Sequence, residues 1–113
     1  ILSPCAWAVP ADHDNDKQPY GETWLSSYTE LARLYDLYVV GVSSVGWIRG
    51  GPWDGRKCIG RSLAVGPGGE VLAHLPYGVD AEALATVEIA PVEPPACGTD
   101  IPAMLKQRGY EGP

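Results

Sequence analysis

The sequence predicts a mixed α/β fold in which one amphipathic helix lies between β-strands. Two strand-like runs, at 1–7 and 37–45, flank a segment with helical spacing at 22–35. A strand, a helix and a strand in this order favour a parallel pair joined by a right-handed crossover. A glycine-rich turn at 66–69 separates two further strand-like segments and predicts a hairpin, so we expect the sheet to be mixed.

The helix is predicted over Glu22–Tyr35 because its apolar residues recur every three or four positions. Glu22 lies in the first turn, where the helix dipole favours a negative charge. The predicted inner face comprises Trp24, Leu25, Tyr28, Leu31, Ala32 and Tyr35, and the predicted outer face comprises Thr23, Ser26, Ser27, Glu30, Arg33 and Leu34.

The remaining elements follow from turn residues and from short apolar runs. They are a buried strand at 1–7, a loop at 8–21, a strand at 37–45 that is apolar on both faces at its start, a glycine- and tryptophan-rich loop at 46–55, a strand at 58–65, a turn at 66–69, its hairpin partner at 70–75, a helical turn at 80–84 and a last strand at 86–89. Pro91, Pro94, Pro95 and Pro102 predict an extended tail over 91–113, with a turn of helix at 103–107. We therefore expect one domain over 1–90, followed by this tail.

Composition excludes several classes of partner. The 113 residues carry a net charge of −6, and the pI is near 4.7. Nucleic acid and anionic membranes both need a basic surface, so neither is expected as a partner. No apolar run approaches the roughly 18 residues of a spanning helix, and no secretory signal is recognisable. Cys5, Cys58 and Cys97 match no zinc spacing and are interpreted as reduced thiols of a cytoplasmic protein.

The chain opens at Ile1 inside an apolar segment, whereas natural chains usually begin with loose residues. We therefore expect that an N-terminal part precedes it. One helix can cover only one face of the predicted sheet, and a monomer avoids a large exposed apolar face. The missing part, or a partner, is expected to supply the second layer.

The polar run Asp12-His13-Asp14-Asn15-Asp16 resembles the start of a calcium loop, but the later positions do not fit. Lys17 stands where the turn needs glycine, and Thr23 stands where the bidentate glutamate belongs. A solvated loop is the better interpretation, and no metal or cofactor is expected.

A nucleophile is equally hard to place. Ser43 lacks a glycine two residues later, because Val45 is there, so the serine-elbow motif fails. Gly66–Gly69 is followed by no Gly-Lys-Ser/Thr sequence and predicts a hairpin turn instead of a phosphate loop. Cys5 and Cys58 are expected to be buried small side chains, with Cys58 on the opposite strand face from Lys57. No complete catalytic constellation is therefore visible.

Four segments, in order, resemble the nitrilase superfamily of carbon–nitrogen hydrolases. The run Leu2-Ser3-Pro4-Cys5-Ala6-Trp7 resembles the strand that follows the nucleophile region. The segment 20–33 resembles the next helix, and 39–46 resembles a strand that commonly ends in Asn-Val-Gly. The segment 59–73, with Gly60-Arg61-Ser62 and Pro67-Gly68-Gly69-Glu70, resembles the hairpin of the family. Ser44 departs from the usual asparagine, and Arg61 departs from a smaller or neutral residue.

The resemblance implies part of a four-layer α-β-β-α sandwich whose N-terminal half is missing. It also implies hydrolysis of a nitrile, amide or N-carbamoyl compound by a Glu-Lys-Cys triad, all upstream of residue 1. Neither Cys5 nor Lys57 matches a triad position, so the 113 residues alone are expected to be inactive. The resemblance places Ala6, Trp7 and Ala8 in the wall of the substrate pocket. The alternative for Trp7 is an ordinary core residue.

Two other interpretations stay open: a non-catalytic α/β interaction module that binds a partner through its uncovered sheet, and a pseudoenzyme that has lost its triad. The family resemblance further implies a homodimer or larger homo-oligomer in which the helix over 22–35 pairs with its symmetry mate. The outer face of that helix carries few charges, which suits close approach. Neither the substrate nor the oligomer size follows from the sequence.

Overall fold

The computed structural model describes residues 1–91, 93 and 100–110. The elements found among them are β1 (Leu2–Cys5), β2 (Ala8–Val9), α1 (Glu22–Tyr35), β3 (Val39–Ser43), β4 (Val45–Trp47), β5 (Lys57–Ile59), β6 (Leu63–Val65), β7 (Val71–His74) and α2 (Ile101–Gln107). The predicted helix has the bounds that the sequence indicated, and α2 contains the predicted helical turn at 103–107.

The larger sheet, here called the main sheet, has the strand order β1-β3-β6-β7. β1 and β3 are parallel, with Leu2 opposite Val40, and α1 connects them. β3 pairs antiparallel with β6, and β6 with β7. The hairpin turn is closed because the Gly66 N–H donates to the Glu70 carbonyl oxygen at 2.9 Å. The mixed sheet, the parallel pair and the hairpin are thus confirmed.

The core lies between α1 and one face of the main sheet. Tyr28 and Ala32 from the helix pack on Val39, Leu63 and Val65 from the strands. Gly41 on β3 permits this approach, because a Cβ there would lie 2.4 Å from the Tyr28 ring. The Tyr28 hydroxyl continues over the sheet and donates to Ser3 Oγ at 2.9 Å.

The last turn of α1 differs from the predicted faces. Leu34, expected outside, is 8% exposed, and Tyr35, expected inside, is 45% exposed.

The outer side of α1 is reached by the C-terminal helix region, since Arg108 Nη2 lies 3.4 Å from Glu30 Oε1. Helical periodicity cannot anticipate such a contact from a segment far along the chain.

The opposite face of the main sheet is more open. Leu2 is 79% exposed and Val42 is 60% exposed, and both point away from α1 by strand alternation. The irregular segment 83–87 lies along part of this face and encloses a cavity of about 220 Å³ with residues of β3, β6 and β7. The prediction that the first half of the strand at 37–45 is covered on both faces therefore holds only in part.

A second, smaller sheet, here called the small sheet, has the order β2-β5-β4 with antiparallel pairs. β2 lies inside the predicted loop at 8–21, so that prediction was wrong at its start. The predicted single strand at 58–65 is two strands in two sheets. Gly60 and Arg61, with φ of 81° and 86°, turn the chain between them.

Other predicted elements are absent or lie outside the described part. The predictions of a helical turn at 80–84 and of a strand at 86–89 were wrong, since both segments are irregular. Pro94, Pro95 and Cys97 fall outside the described residues. Within the described ranges, no helix has the length and apolar character needed to cross a membrane.

Candidate functional site

The three residues predicted for a substrate pocket, Ala6, Trp7 and Ala8, line one groove. They form the passage from β1 in the main sheet to β2 in the small sheet, so both sheets position them. The groove has a volume of about 360 Å³, within the range of small-molecule sites. It is lined by Ala6, Trp7, Ala8, Ile48, Gly50, Pro52 and Trp53. No charged side chain is among these residues, so the groove suits a neutral, apolar group.

The second wall of the groove is the loop between β4 and β5. Its base is closed by the Ile48 N–H, which donates to the Arg56 carbonyl oxygen at 2.8 Å. Its tip is fixed by the Gly50 N–H, which donates to Asp54 Oδ1 at 2.6 Å. The guanidinium of Arg56 lies 4.7 Å from the centroid of the Trp53 ring, which restrains the indole.

Trp53 was not among the predicted site residues. The sequence marked residues 46–55 only as a loop rich in glycine and tryptophan. An exposed tryptophan in a loop was the available signal, but which groove it faces depends on the pairing of β4 with β5. Trp53 is 51% exposed, comparable to Trp7 at 59%.

Trp7 is held from one side. Its ring meets the Trp24 ring edge-on, with centroids 6.0 Å apart and planes at 77°. The Tyr20 hydroxyl donates to the Trp7 carbonyl oxygen at 3.4 Å. Trp7 leaves more than half of its surface exposed among the described residues. Burial raises the pKa of the neighbouring Tyr20 phenol above its usual value of 10.0.

The structure describes Cys5 and Cys58, and no hydrogen bond joins either thiol to a basic side chain. Cys5 is only partly buried, contrary to the prediction, and its Sγ lies 3.1 Å from Ser43 Oγ. A hydroxyl is not a base that would generate a thiolate. Cys58 is 5% exposed, and its neighbour Lys57 points to the other face of the small sheet, as predicted.

In the described part of the chain, no three His, Cys, Asp or Glu side chains form a group that could hold a metal ion. His74 lies in β7, and burial, followed by the charge of Arg61, lowers its pKa. The loop at 12–16 is held by its own contacts, including Asp14 Oδ2 to Lys17 Nζ at 2.8 Å.

The fold is similar to that of one solved enzyme. A carbon–nitrogen hydrolase from Helicobacter pylori G27 superposes with a TM-score of 0.54 and 23% sequence identity. The match covers 66% of this chain and 27% of that enzyme, so the chain spans about a quarter of the length of that enzyme. At this identity the likeness concerns the fold alone. No family model matches the sequence, and no curated protein matches it.

Proposed function

We propose that this chain is the C-terminal part of a carbon–nitrogen hydrolase domain and that it supplies one wall of the substrate pocket. The observation that carries the proposal is the fold likeness to a carbon–nitrogen hydrolase, with a TM-score of 0.54. The reaction proposed is hydrolysis of a nitrile, amide or N-carbamoyl C–N bond. A cysteine nucleophile, a glutamate base and a lysine that stabilises the oxyanion would lie in residues that precede Ile1.

The open apolar face of the main sheet supports the proposal that a further layer packs on it. Leu2 and Val42 expose most of their apolar surface there. Each Å² of apolar surface that a second sheet covered would contribute about 25 cal/mol. We propose that an upstream sheet packs on this face to complete a four-layer α-β-β-α sandwich.

In this proposal the groove beside Trp7 takes the part of the substrate next to the scissile C–N bond. The indole offers a flat apolar wall and one N–H donor. The apolar lining excludes water from that part of the substrate, which strengthens electrostatic stabilisation of the transition state nearby. The chain thus contributes binding and orientation, and the proposed upstream triad contributes bond breaking.

Comparison of two tryptophan variants tests the pocket. Trp7 and Trp47 expose 59% and 45% of their surface, but Trp47 lies on the other face of the small sheet. We expect Trp7→Ala in the full-length protein, which includes the proposed residues before Ile1, to change the ratio of kcat/KM for benzamide over propionamide by about tenfold. Trp47→Ala should leave that ratio unchanged. Trp7→Ala should cost less than about 1.5 kcal/mol of stability.

Two results would contradict the assignment of Trp7. One is a loss of about 3–5 kcal/mol on Trp7→Ala with unaltered selectivity, as for a core tryptophan. The other is an equal change of selectivity in both variants. Absence of any nitrile, amide or carbamoyl hydrolysis by the full-length wild-type protein would contradict the proposed enzyme itself, whereas the 113 residues alone are expected to be inactive.

A non-catalytic interaction module is the alternative function. The exposed Leu2 and Val42 favour it, because an open apolar sheet face also suits a protein partner. The two functions differ in turnover. An interaction module would bind a partner through this face and hydrolyse none of the three substrate classes.

We further propose that α1 forms a homodimer contact through its outer face. Thr23, Ser26 and Ser27 are exposed there, and small side chains allow two helices to approach closely. Glu30 is engaged by Arg108 within the chain, which leaves the small residues as the centre of the contact. Ser27→Glu should therefore convert a dimer to a monomer in sedimentation velocity.

The control for Ser27→Glu is Ala11→Glu, which adds the same charge at an exposed loop position. It should leave the oligomer intact. If Ser27→Glu stays dimeric with an unchanged circular dichroism spectrum, the contact lies elsewhere, and the tail after residue 91 becomes the better candidate.

A further inference from the structure

The face of the small sheet opposite the Trp7 groove opens into a separate cavity. Strand alternation and register place Val9, Trp47, Lys57 and Ile59 on this face. The cavity measures about 390 Å³ and is bounded by the loop at 13–16 and the segment at 77–79. Its size is that of a small-molecule site, and neither the fold likeness nor the proposed hydrolase pocket accounts for it.

Lys57 is the cation of this cavity. Its side chain is partly buried, and Nζ donates one hydrogen bond, to the His13 carbonyl oxygen at 3.1 Å. The ammonium also lies 5.9 Å from the centroid of the Trp47 ring. Among residues 1–91, 93 and 100–110, no carboxylate lies within ion-pair distance of Lys57. An ammonium has three donors, so Lys57 retains donors that no carboxylate of the described residues engages.

The nearby carboxylates do not take that place. Asp14 is paired with Lys17 at 2.8 Å and accepts the Asp16 N–H at 3.0 Å. The bond to Lys17, followed by that from the Asp16 N–H, lowers the pKa of Asp14. Asp16 also lines the cavity and is exposed to solvent. His13 Nε2 is a buried polar atom without a hydrogen-bond partner in the described part of the chain.

The rest of the cavity wall is apolar or aromatic. Ile59 is 4% exposed and forms its floor. The segment 77–79 is fixed against β5, because the Gly78 N–H donates to the Ile59 carbonyl oxygen at 2.7 Å. Arg61 lies 5.6 Å from the Tyr77 ring centroid and adds a second positive charge behind that ring.

From this arrangement we infer that the cavity binds a small organic carboxylate with an apolar or aromatic body. The carboxylate would pair with the Lys57 ammonium. The body would lie against Trp47, Ile59 and Tyr77. Charge complementarity favours an anionic ligand. Lys57 would repel a cation, and a neutral ligand would leave the charge of Lys57 unpaired. This site is independent of the proposed hydrolase function.

Isothermal titration calorimetry with three probes of one shape tests the inference. 3-Phenylpropionate should bind saturably to the purified protein. 3-Phenylpropan-1-ol and 3-phenylpropylamine should each bind about tenfold more weakly, or not measurably. Lys57→Met should weaken 3-phenylpropionate by about tenfold, whereas Lys57→Arg should stay within about threefold.

Matched variants separate this cavity from the Trp7 groove and from general charge effects. Arg56→Gln removes the same charge one residue away, beside Trp53 in the groove, and should leave 3-phenylpropionate binding unchanged. Trp47→Ala should weaken binding, and Trp7→Ala should not. The inference is overturned if Lys57→Met binds like wild type or if Arg56→Gln weakens binding equally. Tighter binding of the amine would also overturn it and would assign the cavity to Asp14 and Asp16.

Discussion

The two faces of the small sheet are built from the same three short strands, yet they differ in chemistry. One face carries Ala8, Gly46 and Cys58 and continues into a groove without a charged lining residue. The other carries Trp47 and Lys57 and opens into a cavity bordered by acidic and basic groups. Because side chains alternate along a strand, one residue step separates an apolar surface from a charged one.

Few residues are needed to specify two different surfaces of the small sheet. β5 has three residues, and the side chains of its adjacent residues Lys57 and Cys58 point to opposite faces of the sheet. A shift of register by one residue would exchange the two faces completely. Register is therefore the property on which both proposed sites depend, and backbone changes near the sheet should test it most strongly.

The largest expected effect is a loss of unfolding free energy on replacing Gly60, which lies beside the cavity face. Gly50, which lines the groove, is the comparison. Gly60 and Gly50 both have positive φ, 81° and 78°. A Cβ at Gly60 would also lie 2.9 Å from Val45 Cγ1, whereas nothing lies within 4 Å at Gly50. We expect Gly60→Ala to cost about 2–4 kcal/mol of unfolding free energy, from backbone strain and overpacking together. Gly50→Ala should cost only the strain, about 1–2 kcal/mol.

Urea denaturation followed by tryptophan fluorescence measures both values. Equal costs for the two glycines would contradict this expectation, because the Val45 contact would then carry no penalty. We also expect Gly60→Ala to weaken 3-phenylpropionate binding while the selectivity set by Trp7 persists.

The smallest expected effect concerns Tyr20, whose hydroxyl donates to the Trp7 carbonyl oxygen. Burial raises the pKa of its phenol above the usual 10.0, so the folded protein favours the neutral form. This contribution to stability is fully present below pH 10.0 and is lost as the pH rises through the folded-state pKa. Stability should therefore fall in that alkaline range, and Tyr20→Phe should reduce the fall.

Spectrophotometric titration of the tyrosines near 295 nm provides the measurement. The difference between wild type and Tyr20→Phe should show one phenol that ionises later than the rest. At neutral pH the variant should lose about 0.5–1 kcal/mol, the value of one modest hydrogen bond. A difference titration centred at or below pH 10.0 would contradict the burial argument.

Local signals predicted the parts of the fold that depend on neighbouring residues. The bounds of α1 followed from helical spacing, and the hairpin followed from the turn at Gly66–Gly69. The parallel pairing of β1 with β3 followed from the order strand, helix, strand along the chain. The residues 6–8 came from a family resemblance, and the structure gathers them in one groove, although their contact with substrate stays a prediction.

Other features depend on contacts between distant segments and could not be read from periodicity. The apolar run from Cys58 to Val65 contains a turn at Gly60 and Arg61, and a non-glycine residue with positive φ leaves no mark in hydrophobicity. Trp53 joins the groove only because β4 pairs with β5. Lys57 could be placed opposite Cys58, but the cavity beside it also requires the loop at 13–16 and the segment at 77–79.

The position of β1 at the edge of the main sheet has a consequence for handling the protein in solution. Edge strands can recruit strands from other molecules, and the exposed Leu2 would favour such aggregation. Pro4 lies within β1 and lacks an N–H, so it interrupts the donor pattern that a recruited strand would need. We therefore expect Pro4→Val to let the edge strand pair more readily with strands of other molecules. The variant should then precipitate at high concentration.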